Sequence, residues 1–215
     1  MNKILLNVSA TILLLVLVAF ESLYAQTAGD TIYSNKNNGI DQLVFIDKPH
    51  SKYHDMVFEL LLSNTNSFDG EKKMRYSQDS SSTNFSGQWI TVKKYKGKYY
   101  AYFPSEPFYN TFMQIGDSNL AINDFNEGFV SYPVAHKKES RKKIKISLNE
   151  SSGGKHSLLI KKKKKNLFVV SSSLFNVRKL HFVKRTAYAD FPIIVNYCPV
   201  NRCPEFAAHF TFSTH

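Results

Sequence analysis

Short runs of apolar, aromatic and β-branched residues separated by turn compositions make up most of the second half of this chain, and only one stretch keeps a period near 3.6. Alternation of apolar and polar positions is cleanest over residues 141–149. There Ile144, Ile146 and Leu148 share one side and Lys143, Lys145 and Ser147 the other, as in a strand with one wet face. Residues 89–95 and 99–103 are rich in aromatic and β-branched side chains and flank Lys96-Gly97-Lys98. That pattern predicts a hairpin with a three-residue connection, the glycine supplying a positive φ. Strands are predicted again at 112–115 and 120–122 around the turn Gly116-Asp117-Ser118-Asn119, at 129–135, at 157–160, at 167–170 and at 178–186. The helical exception is Tyr53, Met56, Val57, Leu60 and Leu61, spaced i, i+3, i+4, i+7 and i+8. It predicts one short amphipathic helix over 51–62, with Ser51 as N-cap and Asp55 near the positive end of its dipole. The fold class is therefore mainly β: an antiparallel up-and-down meander of about eight strands, preceded by one short helix and closing into a barrel because closure removes exposed edges.

Composition divides the chain into three parts. Residues 1–25 read as a signal peptide: Lys3 gives a positive start, an apolar core runs from Ile4 to Phe20, and Ala25 stands at the cleavage position, leaving Gln26 as the mature N-terminus. The competing reading is an uncleaved anchor, since that core approaches the lower length of a membrane-spanning helix; its interruption by Asn7, Ser9 and Thr11 favours cleavage. After cleavage the expectation is an exported protein, periplasmic or extracellular, with no transmembrane segment in the mature chain. Residues 26–84 form an N-terminal segment: a loose polar start over 26–39, a short strand at 41–46, the helix, and a Ser/Asn-rich linker over 63–84 too poor in apolar residues to pack. Residues 85–215 form the barrel domain.

The stretch Phe85-Ser86-Gly87-Gln88-Trp89, followed at once by a β run, is similar to the opening Gly-x-Trp of the lipocalin and calycin barrels. The resemblance spans about residues 85–188. It implies an eight-stranded antiparallel barrel in which Gly87 and Trp89 belong to the closure of one end. It also implies that an arginine from the last strand packs over the Trp89 ring, Arg185 being the first candidate and Arg178 the second. By the same analogy the interior takes a small, largely apolar ligand.

The remaining residues offer little catalytic chemistry. Cys198 and Cys203 are the only cysteines, and in an exported chain an even count favours a disulfide; the alternative is a zinc site completed by His181 and His209. His50 and His54 stand four apart but lack the glutamate of a metalloprotease helix, and read as surface histidines. Asp117, Asn119, Asp124, Asn126 and Glu127 sit in two turns whose spacing fits no twelve-residue calcium loop. There is no Gly-x-Ser-x-Gly elbow and no phosphate-binding glycine loop. No metal and no cofactor are expected.

Charge changes the picture more. The chain carries a formal net charge of +11, and Lys3 and Glu21 cancel when the signal leaves. Lys161, Lys162, Lys163, Lys164 and Lys165 form an unbroken run between two apolar stretches, and Lys137, Lys138, Arg141, Lys142 and Lys143 form a second cluster. If the flanking stretches pair, the pentalysine is a hairpin tip. It reads either as a solvated loop that discourages edge pairing or as a candidate anion-binding contact. Nucleic acid is not expected as a partner of an exported protein. Three functional expectations follow: a non-enzymatic carrier of a small apolar ligand, a basic-loop module that binds anionic surfaces or glycans, and an enzyme of unrecognised type.

Overall fold

The computed structural model describes residues 30–35, 41–63, 85–105, 110–124, 128–150, 153–175, 179–198, 203, 205 and 206. The expected signal peptide, the linker from 64 onward, Arg178, Asn126, Glu127 and His209 lie outside these residues. In chain order the elements are β1 (Thr31–Asn35), β2 (Gln42–Asp47), α1 (Lys52–Ser63), β3 (Gly87–Tyr95), β4 (Lys98–Phe103), β5 (Phe112–Ile115), β6 (Asn119–Asp124), β7 (Gly128–Ser140), β8 (Lys143–Asn149), β9 (Lys155–Lys164), β10 (Leu167–Ser172), β11 (Leu180–Lys184), the single turn α2 (Arg185–Tyr188) and β12 (Ile193–Tyr197).

Strands β5 to β11 pair antiparallel in sequence order, β11 returns to β3, and β3 pairs with β5. The circle of eight strands is closed, as the alternation predicts. Its interior is the face on which Ile144, Ile146 and Leu148 lie, facing Leu158, Ile160, Phe168, Val170, Phe182 and Trp89. Trp89, Met113, Leu120, Ile146, Leu158, Ile160, Val170 and Phe182 are all 0% exposed, so none of them borders a water-sized gap.

Strand β4 departs from the simple meander. The hairpin forms, but its turn is the two-residue Lys96-Gly97, with Tyr95 opposite Lys98 and φ values of 44° and 81°. Two consecutive positive φ angles match the twist of adjoining strands, the reason two-residue hairpin loops favour this geometry. β3 then changes partner along one edge. Residues 87–90 pair with β5, and residues 93–95 pair with β4. At the changeover Thr91 N donates to Thr111 O at 3.0 Å and Thr91 Oγ1 accepts from Thr111 N at 3.1 Å. Asn110 Nδ2 donates to Tyr102 O at 2.7 Å, tying the start of β5 to β4. β4 therefore leaves the barrel and starts a side sheet: it pairs in parallel with β12, which pairs antiparallel with β2, and β2 with β1.

Two of these strands have weak sequence signals. β12 reads IIVNY with its first four residues buried; it is covered on both faces, so alternation disappears. β1 lies in the stretch expected to be loose, and its mostly exposed side chains explain the polar composition. Helix α1 packs on one face of the side sheet and on the outer faces of β3 and β11, through Val57 and Leu61 against Phe45, Ile90, Val92, Val183, Ile193 and Val195. Its period is as predicted but its buried face is rotated: Met56 is 43% exposed, while His54 is buried. His54 is thus not a surface residue. Its Nε2 bonds Phe191 O at 2.9 Å and its Nδ1 faces Ser51 Oγ at 3.4 Å. His50 is exposed and lies 3.5 Å from Asp190.

Candidate functional site

Gly87 opens β3 with φ 104°, a value that only glycine adopts without strain. Trp89 is buried inside the barrel, edge-on to Phe168 with ring centroids 4.7 Å apart. Its Nε1 has no hydrogen-bond partner among the described residues. The cation over its ring is Lys184 Nζ, 5.7 Å from the centroid, because Lys184 is the direct cross-strand partner of Trp89. Arg185, the expected partner, is one residue further on and in the first position of α2, where the chain turns away. Its guanidinium lies 4.7 Å from the Phe58 ring and donates to Gln88 Oε1 at 2.9 Å. Arg185 thus joins the barrel end to α1.

Cys198 and Cys203 are bonded to each other, which removes them as zinc ligands. The bridge holds Glu205 and Phe206 against the far face of the side sheet. Phe206 packs with Val44, Tyr100, Tyr102 and Ile194. The Glu205 carboxylate accepts from Tyr102 Oη at 2.5 Å, from Asn196 Nδ2 at 3.2 Å and from Ser105 Oγ. Lys93 faces the same layer, and burial pushes its amine down to about 8 against the attraction of Glu205. With three donors on its carboxylate, Glu205 serves as an anchor for the chain end.

The lysine run is part of the barrel wall. Lys161 to Lys164 belong to β9 and only Lys165-Asn166 form the tip, Asn166 taking φ 62°. Lys143 stands directly opposite Lys161, and Lys138 directly opposite Lys145. Lys162 N donates to Lys142 O at 2.8 Å, so the β7–β8 and β9–β10 hairpins run side by side to one end. The pairing thereby merges the two basic clusters of the sequence into one surface. All of Lys138, Arg141, Lys142, Lys143, Lys145 and Lys161 to Lys165 are exposed. Strands β8, β9, β10 and β11 contain no acidic residue, and β7 contains only Glu139.

At one margin of this surface lies a side-chain cluster that sequence reading did not find. Lys143, Lys161, Val169, His181 and Val92 form one row of outward-facing cross-strand partners. Tyr99 of β4 reaches this row, its oxygen 3.2 Å from His181 Nε2 and the two ring centroids 4.9 Å apart. Lys163 Nζ donates to Tyr99 Oη at 2.8 Å. An ammonium only donates, so Tyr99 Oη accepts from Lys163 and shares a second hydrogen bond with His181. Burial, then Lys163, then Lys94 push the pKa of His181 down to about 4. Sequence reading placed His181 only as a zinc alternative, and nothing in the local pattern ties it to Tyr99, which is 82 residues away.

No protein-family model, no curated protein and no solved structure matches this chain. No helix among the described residues is long and apolar enough to cross a membrane.

Proposed function

We propose that this protein is an exported β-barrel module that binds polyanions through the lysine-rich outer wall of β7, β8 and β9. The single observation that carries the reading is the placement of Lys143 directly opposite Lys161 on strands paired along both edges. Like charges directly opposite each other destabilise a sheet. Lysines often guard exposed sheet edges, but β8 and β9 have no free edge to guard. The repulsion therefore lacks a structural benefit, and an anionic partner that neutralises it supplies one. Counterion release from the lysines then favours association. Export is supported by the signal-like start of the chain and by the Cys198–Cys203 disulfide.

The carrier reading is weaker. A small apolar ligand in the barrel interior would have to displace members of one buried cluster that includes Trp89 and Phe182, both 0% exposed, and Phe168. The test is elution of the mature protein from immobilised dextran sulfate in a salt gradient. Replacing Lys143, Lys145, Lys161 and Lys163 by Gln should move elution to much lower salt. Replacing Lys48, Lys52, Lys96 and Lys98 by Gln removes the same number of charges elsewhere and should move it far less. Equal shifts in the two variants would reduce the effect to overall net charge and overturn the proposal.

A further inference from the structure

The Tyr99–His181–Lys163 cluster lies where the basic wall meets the side sheet. Its hydrogen bonds run through one hydroxyl: Lys163 donates to Tyr99 Oη, which is also bonded to His181 Nε2. The groups that face His181 are Lys163 from β9, Lys94 from β3 and Tyr99 from β4; its paired neighbours Val169 and Val92 carry no charge. Lys94 is also the direct cross-strand partner of Tyr99, and its charge acts on the same imidazole as that of Lys163. Neither lysine has an ion pair among the described residues, and both repel a proton on His181.

We infer that an anionic group seated on Lys163 and Lys94 draws a proton onto His181, so that polyanion binding at this margin is coupled to proton uptake. The inference rests on the proposed function of the basic wall. The step balances without a further reactant. A solvent proton bonds to the unprotonated ring nitrogen of His181, so that Nε2 carries a hydrogen and donates. Tyr99 Oη accepts from Nε2–H, and the Tyr99 hydrogen, which has no acceptor there, turns to the arriving anion. Lys163 Nζ exchanges Tyr99 for the same anion. The bound anion thus gains a hydroxyl donor and a nearby imidazolium in addition to two ammonium groups.

The sign of the pH dependence follows. Without a ligand His181 takes up a proton only near pH 4. An anion cancels the two lysine contributions and raises that value towards the ordinary histidine range. Binding therefore tightens as pH falls from about 6.5 towards 4.

The experiment measures affinity for dextran sulfate, whose sulfates stay ionised throughout, at pH 7.5 and pH 5 and fixed ionic strength. Wild type should bind roughly two- to tenfold tighter at pH 5, the range given by a rise of about one to two units in one pKa that starts near 4. Calorimetry in two buffers of different ionisation enthalpy should show net proton uptake at pH 5. His181→Gln and Tyr99→Phe, each compared with its own binding at pH 7.5, should lose most of the gain at pH 5. His136→Gln, which alters an outward histidine on β7, should keep it. Binding that is as tight at pH 7.5 as at pH 5, or a gain that survives in His181→Gln, would overturn the inference and leave the basic wall standing. Failure of wild type to bind at either pH would instead overturn the proposed function itself.

Discussion

Lys161→Glu should stabilise the protein while weakening its binding. The substitution turns the Lys143–Lys161 pair from like charges to opposite charges in a direct cross-strand register. Such a pair contributes roughly 0.2–1 kcal/mol when the charges are opposite and costs a similar amount when they are alike. Reversal therefore spans about 0.4–2 kcal/mol, and exposure of both side chains favours the lower half of that range. A gain of about 1 kcal/mol corresponds to about 2–4 °C in Tm for a chain of this length. Thermal unfolding followed by circular dichroism in low salt measures it. Lys161→Gln should give about half the gain. In 1 M salt, where the screening length is about 3 Å, most of the difference should vanish. A fall in Tm at low salt, or a gain that high salt leaves intact, would mean that the lysine repulsion does not exist. The main support for a partner-binding wall would go with it.

Trp89→Ala should cost about 3–5 kcal/mol by leaving a cavity against Phe168, and Trp89→Phe much less; emission of the wild type should be blue-shifted and resistant to iodide, and an exposed, easily quenched tryptophan would contradict the packed interior. Non-reducing peptide mapping should recover Cys198 linked to Cys203, and Cys198→Ser should lower stability by about 2 kcal/mol, since the closed loop is short. Stability should fall as pH drops from about 6.5 towards 4, because the unfolded chain protonates His181 before the folded one does; urea titrations across this window should show a shallower slope in His181→Gln.

The barrel was largely legible because a closed sheet with a dry inside and a wet outside writes itself as alternation, most plainly in β8. What escaped depended on cover from a second layer. β12 has apolar neighbours on both faces, so it shows an apolar run instead of a period of two. The change of partner along β3 rests on Thr91, Asn110 and Asn123, whose side chains serve backbone groups distant in sequence. The lysines were visible as a run, but their meaning was not. A run between two apolar stretches reads as a loop, and only the β8–β9 register reveals that Lys161 faces Lys143. Similarly, Lys184 displaced Arg185 over Trp89 because strand register, which motif resemblance does not specify, decides which basic residue faces the ring.

The two halves of the barrel exterior have different environments. On β3 and β11 the outward residues Ile90, Val92 and Val183 are buried by α1 and the side sheet, so this half is committed to a second core. On β8 and β9 the outward residues Lys143, Lys145, Lys161 and Lys163 are exposed. The row from Lys143 through Lys161, Val169 and His181 to Val92 crosses from one half to the other within five strands, and neighbouring strands lie about 4.8 Å apart. His181 is the last polar residue before the apolar half. It is close enough to the second core to lose part of its hydration and close enough to Lys163 and Lys94 to feel their charge. Burial alone would depress its proton affinity permanently, while the lysine contribution is one that a ligand can cancel. The position of His181 on the boundary, with Tyr99 carrying a hydrogen bond across it, is what makes its protonation responsive to occupancy of the basic wall.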